Sequence, residues 1–261
     1  ALECLWQGTD WGEKLTGLVL TRYGYGVPCT SIEIVEAAHP VPDEIGQITA
    51  QRILNLAESA TDQDLVICLI SGGGSALLAL PGKGLTLQDK QALNRSLLQS
   101  GATIGEMNCV RKHLSAIKGG RLAQAVQPAR LSTLAISDAP GDDLSVIASG
   151  PTVPDPTTFG DALEILRRYQ IQPTPAIQSI LEAAEEETPK PGDEIFSKNQ
   201  VRLVATPQMM LEAAGKEAEK LGITPIILSD RIEGEAREVA KVHAAIAKQI
   251  KHRDQPINAP A

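Results

Sequence analysis

Leu65 to Ile70 is an uninterrupted apolar run that empties into Ser71-Gly-Gly-Gly-Ser75 and then into the helix-forming Ala76-Leu-Leu78. An apolar run of that length, closed by turn residues, predicts a buried strand. A strand that gives way to glycines ahead of a helix leaves backbone N–H groups unpaired, where they can hold an anion. Successive glycines permit positive φ and close approach of a ligand, and Ser71 and Ser75 add hydroxyl donors. Ser71, Gly72, Gly73, Gly74 and Ser75 therefore read as a phosphate or carboxylate cradle, with a flexible strand-to-helix turn as the alternative.

A chain of 261 residues has room for two domains. With 43% hydrophobic but only 3% aromatic residues, its core is built from Leu, Ile, Val and Ala, a mix that suits parallel sheets covered by helices. The expected class is α/β: a Rossmann-like three-layer domain with a parallel sheet over residues 1–190, followed by the start of a second α/β domain over 195–261. The charge run and prolines of Glu185 to Asp193 mark the boundary between them. A net charge of −8 and no basic run argue against a nucleic-acid partner, so any anionic ligand must be drawn in locally.

Cys4, Cys29, Cys68 and Cys109 match neither a metal motif nor a disulfide framework and read as reduced thiols. Without a long apolar stretch or a charged-then-apolar leader, the expectation is a soluble cytoplasmic chain with no membrane partner. It opens at Ala1 without an initiator methionine and closes on Gln255 to Ala261, so both ends read as cut.

Gly17 to Arg22 and Ser31 to Ala37 read as strands, and a helix from Asp43 to about Ala60 joins the second to Leu65–Ile70 as a crossover unit. Thr86 with Asp89 resembles a capping box. A helix over about 104–117 carries Asn108, Arg111 and Ser115 and runs up to Lys118-Gly119-Gly120, and Leu131 to Ser137 is a strand ending at Asp138. The prolines of Ser149 to Pro156 make a rigid loop. Past the boundary, Val201–Ala205 and Thr224–Ser229 read as strands, each followed by a helix.

Five segments in order resemble the glycerate 2-kinase family of MOFRL type, whose members have also been labelled hydroxypyruvate reductases. They are Thr21-Arg-Tyr-Gly-Tyr-Gly-Val-Pro28, Glu36-Ala-Ala-His-Pro-Val-Pro-Asp43, Ser71-Gly-Gly-Gly-Ser-Ala76, the stretch Glu106 to Arg121, and Ser137-Asp-Ala-Pro-Gly-Asp142-Asp143 with Ile147-Ala-Ser-Gly-Pro-Thr152. The resemblance implies transfer of phosphate from ATP, with Mg²⁺, to the 2-hydroxyl of the small-molecule substrate D-glycerate. The family's upstream Gly-Lys-Ala and downstream Gly-Gly-Arg-Asn-Gln segments are absent, so the chain alone is expected to be inactive. A homo-oligomer is left open.

Phosphoryl transfer needs positioned positive charge, N–H donors, a divalent cation and an oriented acceptor hydroxyl. Lys118, Arg111 and Asp138 are the candidate catalytic residues. Ser71, Gly72, Gly73, Gly74, Ser75, Asn108, Gly119, Gly120, Ser149, Gly150 and Thr152 are candidate substrate or nucleotide contacts, and Asp138 and Asp143 candidate Mg²⁺ ligands. Lys118 also reads as a solvated lysine at a helix end, Asp142 as a turn former, and His39 as a structural residue of a proline turn. Two rival readings are an NAD(P)H-dependent hydroxypyruvate reductase and a non-catalytic sugar-acid or nucleotide binding module. The first wants Gly-x-Gly-x-x-Gly, which Gly72, Gly74 and Leu77 break at the third glycine.

Overall fold

The computed structural model describes residues 2–258 and 260–261. Its strands are β1 (Gly17–Arg22), β2 (Ile32–Ala37), β3 (Leu65–Ile70), β4 (Arg130–Ile136) and β5 (Asn199–Ala205). The helices preceding β4 are α1 (Leu2–Trp6), α2 (Asp10–Lys14), α3 (Glu44–Glu58), α4 (Gly74–Leu77), α5 (Leu87–Gln99), α6 (Ile104–His113) and α7 (Arg121–Ala125). Those following it are α8 (Phe159–Arg168), α9 (Pro175–Ala183), α10 (Pro207–Lys220) and α11 (Ala236–Arg253). Among the described residues no helix is long and apolar enough to cross a membrane.

The chain divides into two compact units, Ala1–Ala135 with Leu144–Arg202, and Ile136–Asp143 with Leu203–Ala261. The expected boundary at 190–195 thus lies inside the first unit. Segment 185–193 is packed there: the Asp155 N–H donates to Pro189 O at 2.9 Å, Thr188 is buried, and His113 Nε2 lies 2.9 Å from Glu187 Oε1.

β1 pairs in parallel with β2, Gly17 opposite Ile32 through Arg22 opposite Ala37. β3 pairs in parallel with β4, Leu65 opposite Arg130 through Ile70 opposite Ala135, in a sheet of order β3-β4-β5. The class is α/β with parallel sheets, as expected, but β2 and β3 are in different sheets, so the β2-α3-β3 crossover does not form. The short connection 23–31 between β1 and β2 contains no helix to satisfy its backbone. Two carboxylates do so instead, with Glu36 accepting from Gly26 N at 2.6 Å and Glu3 from the N–H groups of Thr30, Ser31 and Ile32 at 2.6–3.0 Å.

Helix starts follow the expected chemistry: Asp43 caps α3, and capping boxes open α5, α6 and α8 at Thr86/Asp89, Thr103/Glu106 and Thr158/Asp161. The helix expected over 104–117 stops at His113, because the Ser115 hydroxyl turns to Leu80 O at 3.0 Å and the glycines that follow, Gly119 and Gly120, are left-handed. Residues 224–229 form no strand. Pro225 lacks a ladder donor, and Pro225 and Ile227 lie against α10 at Gly215 instead.

Two hydrophobic clusters fill the first unit. One joins α5, α6, α8 and α9 through Leu97, Val110, Leu114, Phe159, Leu166 and Leu181. The other joins α3, α7 and β4 through Ala50, Leu54, Ile117, Leu122, Val126 and Leu131. Val66 and Cys68 of β3 pack on the second cluster, whereas Leu65 and Leu69 point to the opposite side and are 49% and 57% exposed, so β3 is covered on one face and not on both.

A buried ion pair ties the clusters to segment 185–193. Lys112 Nζ lies 3.3 Å from Asp155 Oδ1, and the Thr157 N–H and Oγ1 donate to the same oxygen at 3.1 and 2.7 Å. Thr188 Oγ1 donates to Asp155 Oδ2 at 3.1 Å. Removing one partner strands a buried charge. Lys112→Met is expected to lower the unfolding free energy by about 3–5 kcal/mol, and Lys112→Met with Asp155→Leu to recover part of it. Urea denaturation measures both; a single variant within about 1 kcal/mol of the parent would mean that the threonine bonds hold the carboxylate unaided.

Candidate active site

The glycine loop leaves β3 at Ile70 and turns at Gly73, whose φ of +85° suits glycine. Crowding makes a second demand: a Cβ on Gly73 would stand 3.0 Å from His39 Nε2, and one on Gly74 only 2.8 Å from Ala148 Cβ. Ser71 and Gly72 lie exposed on the rim. The helix that follows, α4, is a single turn of four residues, too short for the helix-terminus contribution expected of it.

Beneath the loop runs a second irregular stretch. Ala148, Ser149 and Gly150 are all left-handed, at φ +51°, +63° and +59°. For the two non-glycine residues such backbone costs about 1–3 kcal/mol each and persists only where the surroundings impose it. Here the surroundings are hydrogen bonds: the Gly119 N–H donates to Ser149 O at 3.1 Å and the Gly120 N–H to Gly150 O at 2.8 Å. The Ser149 hydroxyl donates to Asn108 Oδ1 at 3.1 Å, so at 3.0 Å from Ser75 Oγ it accepts. Segments 71–75, 118–120 and 148–150 are thereby stitched into one unit around Asn108. Ser149 and Gly150 are buried, and Ser149 supports the loop through Ser75; Thr152 is buried as well.

Gly119 and Gly120, at φ +58° and +83°, let the chain pass where Lys112, Thr188 and Asp155 leave no room for a side chain at Gly119. That passage aims Lys118 at the glycine loop. The lysine is buried, against the solvated reading, and its Nζ donates to Ser75 O at 2.6 Å. Arg111 Nε donates to Asn94 Oδ1 at 2.8 Å, with Nη1 at 3.5 Å from Asn108 Oδ1. Lys90 Nζ donates to Leu80 O at 3.2 Å. Lys90 and Arg111 line a chamber of about 20 Å³ with Leu93, Asn94, Leu97 and Leu114, room for about one water molecule.

Among the ion pairs of the described residues, none involves Lys90, Arg111 or Lys118. Loss of hydration, with the nearby charges of Lys90 and Arg111, holds the Lys118 ammonium well below the usual lysine range. The same two causes, dehydration first and Arg111 second, bring Lys90 to about 7. Lys90 and Asn94 escaped the sequence reading. Their signal was there: with Leu87 and Leu97 they fall on the apolar stripe of α5, where a lysine is out of place unless it has a task.

Asp138 and Asp143 lie on the loop after β4, in the second unit, and both are exposed. Among the described residues no three His, Cys, Asp or Glu side chains converge on one point. Mg²⁺ does not require that: it is held by one or two carboxylates, with phosphate oxygens and water completing its shell, and exposed aspartates suit that donor chemistry.

The sequence and fold have relatives. A protein of Agrobacterium vitis with a provisional hydroxypyruvate reductase name is 51% identical over 261 residues, all of this chain and 58% of the relative. A D-glycerate 2-kinase of Thermotoga maritima is 42% identical over 252 residues, 96% of this chain and 59% of the relative. The crystal structure of a glycerate kinase from Thermotoga maritima superposes with a TM-score of 0.82 at 40% identity, over 96% of this chain and 59% of that one. The chain therefore spans a little under three-fifths of the length of these three proteins. The model of the family described as "Domain of unknown function (DUF4147)" matches residues 1–182, and the chain belongs to that family.

Proposed function

We propose that this chain carries the anion-binding part of a glycerate kinase site, at which the terminal phosphoryl group of ATP passes, with Mg²⁺, to the 2-hydroxyl of D-glycerate. One observation carries the reading: Lys90 and Arg111 line one chamber, the charges of both weigh against the Lys118 ammonium beside the glycine loop, and among the described residues none of the three is in an ion pair. In a chain of net charge −8, gathered and partly dehydrated cations stay unfavourable until an anion arrives. A polyphosphate or a sugar-acid carboxylate supplies that charge. The kinase names of the Thermotoga maritima relatives support the same reading.

Each residue has a part in it. Lys118 meets oxygens that approach the Gly73–Gly74 backbone, and the planar guanidinium of Arg111, oriented by Asn94 and Asn108, suits the paired oxygens of a carboxylate or phosphate. Gly119 and Gly120 fix Lys118 in place, and Ser149 and Asn108 fix Ser75. Mg²⁺ when bound would draw charge from the phosphate oxygens, and Asp138 and Asp143 of the second unit carry oxygen donors of the kind it takes. Catalysis by such a site is positioning and electrostatic stabilisation. A nicotinamide site fits less well: its pyrophosphate rests on a long helix behind a third glycine, where this chain has a single turn and the buried Leu77. Calorimetry with ATP–Mg²⁺, D-glycerate and NADH tests the assignment; binding of NADH alone would reverse it.

Lys118 should matter for binding and not for stability. Lys118→Met keeps the buried volume and removes a dehydrated charge, so the melting temperature is expected to hold or rise while ATP binds at least tenfold more weakly, about 1.4 kcal/mol. Unchanged affinity in the titration would remove Lys118 from the site.

The Lys90 value gives binding a pH dependence. A bound anion favours the ammonium, so at a pH above about 7 binding takes up a proton that the free protein has already lost. ATP affinity should fall as pH rises from 6 to 8.5, and Lys90→Gln should flatten that fall. Titrations in buffers of different ionisation enthalpy count the protons directly, and a flat parental profile would contradict the assignment.

A further inference from the structure

His39 sits against the glycine loop, with Nε2 3.0 Å from the point where a Cβ of Gly73 would stand. It is exposed, and its ring makes no hydrogen bond to the described residues. The loop that carries it is held at both ends. Asp43 accepts from the Ala38 N–H at 3.0 Å, from Tyr23 Oη at 2.9 Å and from the Gly46 N–H at 2.8 Å, which locks the loop to the start of α3. Gln91 of α5 donates to Pro42 O at 2.8 Å, one residue along from Lys90. An exposed imidazole with no protein partner, on a pinned loop beside the glycines, is free to take a proton from a ligand held there. The other histidines are placed differently: both ring nitrogens of His113 are engaged, by Cys109 O and Glu187, and His243 and His252 lie on α11.

We propose that His39 is the proton acceptor for the substrate hydroxyl, a role that rests on the kinase reading of the site. As the hydroxyl oxygen forms its bond to the terminal phosphorus of the nucleoside triphosphate, its O–H bond breaks and the proton passes to Nε2. The bond from that phosphorus to the bridging oxygen breaks, and the nucleoside diphosphate leaves with the electron pair. The residue set against the His39 ring is Gly73, which brings no charge to it, and Asp43, four residues along the same loop, is occupied by Tyr23, Ala38 and Gly46. Lys118, at Ser75 O, holds the phosphate side.

NMR of the four imidazoles tests the role without requiring turnover, the His39 signal being identified by its loss in His39→Gln. D-glycerate is expected to move the His39 Nε2 resonance more than those of His113, His243 or His252, and 3-hydroxypropanoate, which lacks the 2-hydroxyl, to leave it in place. Glycerate binding by calorimetry with an unmoved His39 signal overturns the role and leaves the kinase reading standing. Failure of both glycerate and ATP–Mg²⁺ to bind overturns the kinase reading and the role with it. His39→Gln should keep ATP affinity within about twofold, and in an assay of glycerate-dependent ADP release by the active enzyme it should lower kcat about 100-fold with KM for glycerate little changed. A variant that keeps kcat within about threefold overturns the role.

Discussion

The contact of Lys118 with the carbonyl of Ser75 is an unfavourable arrangement that the packing of the first unit imposes and offsets. A buried lysine with a neutral acceptor and no carboxylate is unfavourable, and it survives only because the chain on either side of it has nowhere else to go. Leu114 is locked into the cluster of α5, α6, α8 and α9, and Ile117 into that of α3, α7 and β4. The turn between α6 and α7 thus spans two cores, and Lys118 is carried to the glycine loop by apolar burial on both sides. Burial of a leucine or isoleucine side chain contributes about 1.5–3 kcal/mol, enough for two of them to offset much of the cost of holding the cation.

The same economy explains the left-handed run at Ala148, Ser149 and Gly150. Strained backbone at two non-glycine residues brings Ser149 O and Gly150 O within reach of the Gly119 and Gly120 N–H groups, which the left-handed glycines would otherwise leave unpaired in a dry interior. Neither stretch is stable without the other. Strain and unpaired donors are matched in pairs, and the result is a rigid floor under the glycine loop. A floor of this kind keeps the loop's N–H groups and the nearby cations in place before any ligand arrives, which is what electrostatic stabilisation of a transferring group requires.

Much of this was legible in the sequence, and the unread part has a common cause. The strands β1 and β3 and the caps at Asp43 and Thr86 are local statements, written in apolar runs and in side chains three residues apart, and they came out at their expected places. Pairing is not local. β2 lies beside β1, and the connection between them is satisfied by Glu3 of α1 and Glu36 of β2, partners that the apolar pattern of the strands does not announce. Lys118 meets Ser75 across 43 residues of chain, a convergence that only the packing of Leu114 and Ile117 decides. The proline and charge run at 185–193 looked like a linker because its composition suits one, but Thr188 and Glu187 spend their polar groups on Asp155 and His113. Lys90 on the stripe of α5 was passed over because a helix lysine is ordinarily solvated, and only its place beside Leu87 and Leu97 marked it as different.

The site is also lopsided in a way that bears on its chemistry. Everything assembled around Asn108 is either neutral or positive: hydroxyls, amides, glycine backbone, and the cations of Lys90, Arg111 and Lys118. Asp155, a buried carboxylate, has both oxygens occupied by Lys112, Thr157 and Thr188. That pairing leaves it no bond to the three cations, which keep their field for an incoming ligand. If Asp155 were free to reach Lys118 or Arg111, the protein would be its own ligand, and an anion would have to compete with a covalently tethered carboxylate at high effective concentration. The ion pair that stabilises segment 185–193 therefore also leaves the site unsatisfied, and an unsatisfied cluster of positive charge is what binds phosphate.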